Sequence, residues 1–252
     1  MKKVIIDQLI IEMGRWCTMT CSHCLRGDRE NKTNSFDNIK KLLNQTESIN
    51  NITFSGGEPF LYSKMITKTI NYIMQNEIPC GSFYIATNGS IINQKLMNTL
   101  CKFYIYCAEY NPDCMINFKT DEIYFNKVEI SKSPWHESIP MENEMFFRLY
   151  SFCSTRDENR EERYLIPEGR AYENCYGWDN PQSKSEPKKF EYDDNTVDML
   201  YLNSKGKCYP DCDLSYETQD NWDIDTNFMI PDINSTISLS EQITEYNKQL
   251  GD

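Results

Sequence analysis

Three cysteines within one short stretch place the strongest constraint on how this 252-residue chain can fold. Cys17, Cys21 and Cys24 are separated by three and then two residues, in a polar stretch from 14 to 34 that follows an apolar run. We therefore expect a single loop, at the end of a buried strand, to bring the three thiols together. Three thiolates can hold three irons of a four-iron cluster and leave the fourth iron open to a ligand.

A zinc knuckle is the alternative interpretation of these cysteines. It would require a fourth Cys or His at a similar spacing. His23 is the nearest candidate, but it lies between two of the cysteines, where its ring can scarcely turn inward.

Apolar runs alternate with amphipathic stretches along the first 110 residues. The pattern predicts strands at 6–13, 51–55, 82–87 and 102–109, and helices at 35–43, 61–74 and 91–101. Such alternation indicates crossover connections and a parallel sheet. A further strand at 122–130, a helix at 141–152 and a strand at 163–167 would complete six units. We therefore predict an α/β fold, a partial (β/α)6 TIM-like barrel, whose site lies at the C-terminal strand ends.

Two more motifs fall at predicted strand ends. In Ser55-Gly56-Gly57-Glu58-Pro59, two glycines let the backbone approach a ligand closely, and Glu58 offers a negative acceptor for an ammonium group. Thr87-Asn88-Gly89 ends the third predicted strand; its side chains either bind a ligand or form a strand-ending turn.

The pairing of CxxxCxxC with a following Gly-Gly-Glu motif resembles the radical S-adenosylmethionine (radical SAM) superfamily. The resemblance implies a [4Fe-4S] cluster on Cys17, Cys21 and Cys24 as the catalytic centre. It also implies that S-adenosylmethionine (SAM) chelates the open iron, with its amino group received by the segment Ser55, Gly56, Gly57 and Glu58.

Other cofactor contacts follow from the same resemblance. His23 stands where the family pattern has an aromatic residue near the adenine. Thr87 and Asn88 can bond the methionyl carboxylate or the ribose. Glu109, at the end of the predicted fourth strand, can replace the hydroxyl or acidic residue that faces the ribose in relatives. No GxIxGxxE segment is present on the fifth predicted strand.

The implied reaction is reductive cleavage of SAM to a 5′-deoxyadenosyl radical, which abstracts hydrogen from a peptide or small-molecule substrate. A reductant protein such as flavodoxin or ferredoxin would supply the electron. Two alternatives stay open: an activase that places a glycyl radical on a partner enzyme, and a non-catalytic iron–sulfur electron carrier or sensor. The carrier would need a fourth thiolate ligand.

The composition changes near residue 174, so we predict a core barrel domain at 1–173. A short α+β extension at 174–252 would cover part of the mouth of this barrel. A hairpin is expected at 196–209, an acidic irregular stretch at 220–234, and a final helix after the capping box that starts at Ser238. Four thiols suggest either a second iron–sulfur cluster or a hydrogen-atom donor. They are Cys153, Cys175, Cys208 and Cys212.

Net charge and cysteine content limit the possible partners and the cellular compartment of the protein. With 26 basic and 38 acidic residues the net charge is −12, which argues against nucleic acid and anionic membranes as partners. No apolar run reaches the roughly 18 residues that a spanning helix needs. The 11 cysteines, in a chain whose start does not resemble a signal peptide, are typical of reduced thiols and metal ligands. We therefore expect a cytoplasmic protein in an anaerobic setting.

Overall fold

The computed structural model describes residues 2–112, 126–132, 136, 138–155, 168–174 and 187–251, without the side chains of 223–226. Its strands are β1 (Val4–Glu12), β2 (Thr46–Ser55), β3 (Cys80–Thr87), β4 (Lys127–Ile130), β5 (Cys153–Thr155), β6 (Tyr192–Asp193), β7 (Thr196–Leu202) and β8 (Cys208–Tyr209). Its α-helices are α1 (Phe36–Asn44), α2 (Ser63–Gln75), α3 (Gln94–Tyr110), α4 (Met141–Phe147), α5 (Gly169–Glu173), α6 (Tyr216–Thr226) and α7 (Leu239–Gln249).

One mostly parallel sheet organises the described residues. Its strand order is β5-β4-β3-β2-β1-β7-β6, and β8 pairs with β7. Every pairing from β5 to β7 is parallel, whereas β6 and β8 run antiparallel to β7. Ile6, Leu9 and Ile11 of β1 are fully buried, as expected for an interior parallel strand. The predicted α/β class with an open, mostly parallel sheet is confirmed.

The helices between the first strands form as their periodicity predicts. The Ser35 hydroxyl accepts a hydrogen bond of 3.0 Å from the Asn38 backbone N–H and so caps α1. Ile39, Leu42 and Leu43 then form the buried face of that helix. Because α1 and α2 each lead from one parallel strand to the next, they return the chain to the end of the sheet at which these strands begin.

The predicted fourth strand at 102–109 is wrong, because these residues continue α3. Phe103 and Cys107 lie on the buried face of the helix, while Ile105 between them is exposed. The Phe103 ring stacks on Phe83 of β3, with 5.7 Å between ring centroids. The strand preference of aromatic and β-branched residues reflects packing on a half-buried sheet surface. Here these residues pack on the sheet from a helix, so the same composition fits α3. The fourth strand is β4, within the range predicted at 122–130.

The C-terminal part contributes a strand to the main sheet. β7 pairs in parallel with β1, with Leu200 opposite Leu9, on the side of β1 away from β2. The strand predicted at 163–167 lies outside the described residues. The division of the chain near residue 174 stays a prediction, but the residues after it share the sheet of the residues before it.

The rest of the C-terminal part agrees with the sequence except at one helix. The predicted hairpin is confirmed as β7 and β8. The predicted capping box is confirmed at α7, where Ser238 and Glu241 bond each other's backbone N–H groups. The irregular stretch predicted from 220 is wrong at its start, since α6 extends to Thr226. The charged and amide residues of this helix show no local apolar pattern, because their partners are distant in sequence.

Within the described part of the chain, no helix combines the length and the apolar character needed to cross a membrane.

The position of β7 predicts that the C-terminal part contributes to global stability. We expect Leu200→Ala to lower the free energy of unfolding by about 2–5 kcal/mol, because Leu200 is fully buried. Urea unfolding followed by circular dichroism measures this value. Leu149→Ala is the control, since Leu149 is 76% exposed and should change stability by less than about 0.5 kcal/mol. Equal effects of the two substitutions would contradict the integration of β7 into the sheet.

Candidate functional site

The three loop cysteines face one cavity beyond the C-terminal end of β1. Cys17, Cys21 and Cys24 line it together with Gly57, which follows β2. All three thiols are partly buried and unpaired by disulfides. Burial raises the pKa of Cys21 to about 11, and the nearby Cys17 and Cys24 add to this increase. The Cys21 thiol is therefore protonated at neutral pH, and a metal that binds it must displace the proton.

The two glycines of the Gly-Gly-Glu motif hold the cysteine loop against β2. The Gly57 N–H donates to the Gly14 carbonyl and the Glu58 N–H to the Trp16 carbonyl, each at 2.9 Å. A Cβ on Gly57 would lie 2.2 Å from the Trp16 carbonyl oxygen, and one on Gly56 2.2 Å from the Gly14 oxygen. The glycines are thus required first for contact with the chain itself, directly before Cys17.

Glu58 binds groups of its own chain on both carboxylate oxygens. One oxygen accepts from the Thr87 hydroxyl at 2.7 Å and the Phe60 N–H at 3.0 Å; the other accepts from the Asn88 N–H at 2.8 Å. Glu58 is 1% exposed and does not line the cysteine cavity. Its carboxylate therefore joins the end of β2 to the end of β3. The structure thus gives Glu58 a structural role, and the ammonium-acceptor role stays a prediction.

Asn88 connects the end of β3 to the cysteine loop. Its side-chain amide donates to the Thr18 hydroxyl at 3.0 Å and lies 3.6 Å from the Cys17 sulfur. The Thr18 and Ser90 hydroxyls also bond each other at 2.7 Å. The Thr87-Asn88-Gly89 segment is thus a strand-ending turn and a neighbour of the cysteines at once.

The remaining predicted cofactor residues are dispersed. Ser55 ends β2, and its carbonyl accepts from the Met13 N–H at 2.8 Å. The His23 ring meets the His136 ring edge-on at 4.7 Å between centroids. Glu109 is exposed near the end of α3, and Tyr110 beside it lies at the start of β2 and β3. Because the strand that should have carried Glu109 is a helix, this residue lies at the end of the sheet opposite the cysteines, and its ribose-binding role is wrong.

Helix α5 supports the cysteine loop, a role that the sequence did not reveal. The Arg170 N–H donates to the Cys24 carbonyl at 3.0 Å, and its guanidinium donates to the Cys21 carbonyl at 2.9 Å and to Asp28 at 3.0 Å. Asn174 donates to the Ser22 carbonyl at 2.9 Å. Backbone carbonyls of the loop are thereby satisfied from a segment about 150 residues away in sequence.

A third segment joins this assembly from the C-terminal part. Glu168 accepts from the Ser215 N–H at 3.1 Å and from the Thr218 hydroxyl at 2.8 Å, at the start of α6. In return, the Tyr216 N–H donates to the Arg26 carbonyl at 3.0 Å, and the Arg26 guanidinium donates to the Leu214 carbonyl at 2.6 Å. The cysteine loop, α5 and the start of α6 therefore form one hydrogen-bonded unit.

A buried arginine precedes the cysteines and is also missed by sequence reasoning. Arg15 is fully buried and pairs with Glu12 at the end of β1 and Asp220 on α6, each at 2.9 Å. The Tyr201 hydroxyl of β7 donates to the second Glu12 oxygen at 2.8 Å. A glutamate closing an apolar strand, followed three residues later by an arginine, was the available signal for this network.

The four thiols considered for a second cluster do not form one ligand set. Cys153 lies on β5 at one edge of the open sheet, whereas Cys208 lies on β8 beyond the other side of β1. Cys212 is near Cys208 in the chain, and Cys175 lies outside the described residues. Neighbouring strands are spaced about 4.8 Å apart, so β5 and β8 are too far apart for one cluster.

The Glu58 contacts predict a loss of stability that does not depend on any cofactor. Glu58→Gln turns an amide N–H₂ toward N–H and O–H donors, so we expect it to lower the free energy of unfolding of the cluster-free protein by about 1–3 kcal/mol. Chemical denaturation measures this. Glu47→Gln on the same strand is the matched control, since Glu47 is exposed. Equal midpoints for the two variants would refute the structural role of Glu58.

The contacts of Arg170 predict a looser cysteine loop in its absence. In Arg170→Ala we expect the amide hydrogens of residues 24–27 to exchange about tenfold faster or more, because hydrogen bonds to charged groups contribute about 1.5–3 kcal/mol. Hydrogen–deuterium exchange of the cluster-free protein gives the rates. Arg148→Ala, at a side chain 76% exposed, should leave these rates unchanged. Unchanged rates in both variants would contradict the support of the cysteine loop by Arg170.

Comparison with known proteins gives matches in sequence and in fold. Residues 11–108 match the family model of the radical SAM superfamily. Over 95 residues the chain is 32% identical to an uncharacterized protein of Methanocaldococcus jannaschii, a match that covers 36% of this chain and 33% of that protein. The match thus spans about a third of the length of this curated relative.

Two solved structures share the fold at low sequence identity. The chain is similar to anSMEcpe with bound AdoMet (TM-score 0.55, 12% identity, 97% of this chain and 82% of the other). It is equally similar to anSMEcpe with AdoMet and the Cp18Cys peptide (TM-score 0.56, 12% identity, 98% and 81%). Over residues 11–108 this chain is therefore similar to the radical SAM superfamily.

Proposed function

We propose that the chain is a radical SAM enzyme in which Cys17, Cys21 and Cys24 hold a [4Fe-4S] cluster and SAM binds the open iron. The observation that carries this proposal is that the three thiols line one cavity with Gly57, beyond the C-terminal strand ends. Sulfur ligands suit iron–sulfur clusters, and the residues present fit such a group. When bound, cluster and SAM together supply a carbon radical able to abstract hydrogen.

The chain's own residues hold the cavity in shape. Gly57 brings the backbone after β2 to the cavity wall, and its carbonyl and that of Gly56 are the candidate acceptors for the SAM amino group. Glu58 acts as a positioning residue that fixes this segment to β3. Asn88, next to Cys17, is the candidate donor to the methionyl carboxylate.

The absence of a nearby fourth thiol favours catalysis over electron transfer. Among the described residues, no cysteine other than these three lines the cavity. A carrier with four thiolates would need one there. The glycyl-radical activase differs only in substrate, and no described residue favours it.

A peptide is the substrate class best supported by the comparisons. One of the structures with a similar fold was solved with AdoMet and a peptide together. A small molecule is the second candidate, since a shared fold does not fix the substrate. The C-terminal part meets the cysteine loop through α6 and so is suited to border the substrate path. An external reductant protein, such as a flavodoxin or ferredoxin, would deliver the electron.

Anaerobic reconstitution tests the proposed function. With dithionite and SAM, we expect the wild-type chain to form 5′-deoxyadenosine and methionine, and Cys17→Ala to lose at least about 100-fold of this activity, since one cluster ligand is missing. Cys101→Ala is the matched control, because Cys101 is a partly buried thiol on α3. Iron bound without any SAM cleavage would favour the carrier, and undiminished cleavage by Cys17→Ala would refute the ligand assignment.

A further inference from the structure

Tyr216, the first residue of α6, carries a buried hydroxyl and forms part of the wall of the cysteine cavity. It lines that cavity together with Cys24 and Gly57, and the residue is 3% exposed. Its hydroxyl has no hydrogen-bond partner among the described residues. A buried phenol without a partner loses the hydrogen bonds it makes to water in the unfolded chain. The position therefore calls for a group that completes this bond.

The Tyr216 ring is held firmly, so its hydroxyl cannot turn away to find another partner. The Arg15 guanidinium stacks on the ring at 4.5 Å from its centroid. The backbone N–H of Tyr216 donates to the Arg26 carbonyl, and the Ser215 side chain caps the helix that starts here. The ring is thus held by Arg15 on one face and by the backbone bonds of residue 216, at the junction of the cysteine loop and α6.

The surroundings favour an anionic acceptor for this hydroxyl. Burial raises the pKa of Tyr216, and the negative charge of Glu12 acts in the same direction, so the phenol is a donor at neutral pH. Arg26 also lines the cavity. It lies over the Tyr201 ring at 4.8 Å, and within the described part of the chain no carboxylate forms an ion pair with it. A hydrogen-bond donor and a cation therefore face the same space as the Cys24 thiol.

We infer that Tyr216 is a positioning residue for the cluster, whose hydroxyl donates a hydrogen bond to the Cys24 thiolate when the cluster is bound, beside the positive charge of Arg26. The inference rests on the proposed function. Hydrogen bonds to cluster sulfur and nearby positive charge raise the reduction potential of an iron–sulfur cluster. The C-terminal part of the chain thereby sets how easily the cluster accepts an electron.

Tyr216→Phe in the cluster-free protein provides the first half of the test. The substitution removes an unpartnered buried hydroxyl and keeps the ring, so we expect the melting temperature to stay the same or rise. Tyr209→Phe is the matched control. Tyr209 is also buried on the C-terminal part, but its hydroxyl donates to the Gln219 carbonyl at 2.8 Å and it does not line the cavity. Its melting temperature should fall.

The potential of the reconstituted cluster provides the second half. By electron paramagnetic resonance at controlled potentials, we expect Tyr216→Phe to lower the ratio of reduced to oxidised cluster about tenfold at a fixed potential. For one electron this is a shift of about 59 mV. Tyr209→Phe should leave the midpoint at the wild-type value, since its hydroxyl is bonded elsewhere.

The outcomes separate this inference from the proposed function. If the wild-type chain binds no cluster, both fail. If the wild-type chain and Tyr216→Phe bind equal iron and share one midpoint potential, the inference alone is wrong. The same holds if Tyr216→Phe weakens only substrate binding, which would assign the hydroxyl to the substrate. A fall in the melting temperature of cluster-free Tyr216→Phe as large as that of Tyr209→Phe would show that the hydroxyl already has a partner.

Discussion

The site depends on one close backbone contact, between the chain that leaves β1 and the chain that leaves β2. Two hydrogen bonds of 2.9 Å, from Gly57 to Gly14 and from Glu58 to Trp16, continue the parallel pairing past the strand ends. Neither glycine at 56 or 57 can carry a Cβ without meeting a carbonyl oxygen at 2.2 Å. Because Cys17 follows Trp16 directly, this contact fixes the first cysteine relative to the sheet. The Glu58 carboxylate then secures the same segment to β3, so three strand ends share one bonded junction.

The cysteine loop is stabilised on its other side by segments that come late in the chain. α5 satisfies carbonyls of the loop through Arg170, and Glu168 caps the start of α6. α6 in turn presents Tyr216 to the cavity and Asp220 to Arg15. Since β7 also pairs with β1, the C-terminal part is joined to the site at the sheet and at the loop. A loop that must hold three thiols in one place before metal binds gains its order from this support, because an isolated loop would lose that conformational entropy.

What the sequence could predict follows the range of each interaction. Periodicity located β1, β2, β3 and the helices between them, because the burial of one face appears as a pattern of apolar residues within a short stretch of sequence. The same reasoning failed at 102–109, where aromatic residues suit a helix packed on the sheet as well as a strand, and Glu109 was misplaced with them. Glu58 was recognised as functional, but its partners on β3 lie 29 and 30 residues away. Arg170 and Tyr216 gain their roles only from contacts between distant segments, which no local pattern encodes, and for Arg15 only the pairing with Glu12 is local.

The charge around the cavity runs against the charge of the chain as a whole. The net charge is −12, yet four arginines line the cavity and no acidic residue of the described chain does so. Two of them are neutralised nearby, Arg15 by Glu12 and Asp220 and Arg170 by Asp28. Arg29 lies over the Trp16 ring and Arg26 over Tyr201, and among the described residues no carboxylate forms an ion pair with either of them. Three thiolates that enter such a cavity bring negative charge, and in a partly buried site a nearby cation stabilises that charge more than it would in water. An acidic surface with a cationic interior therefore favours an anionic occupant at this one position, which is where the three cysteines meet.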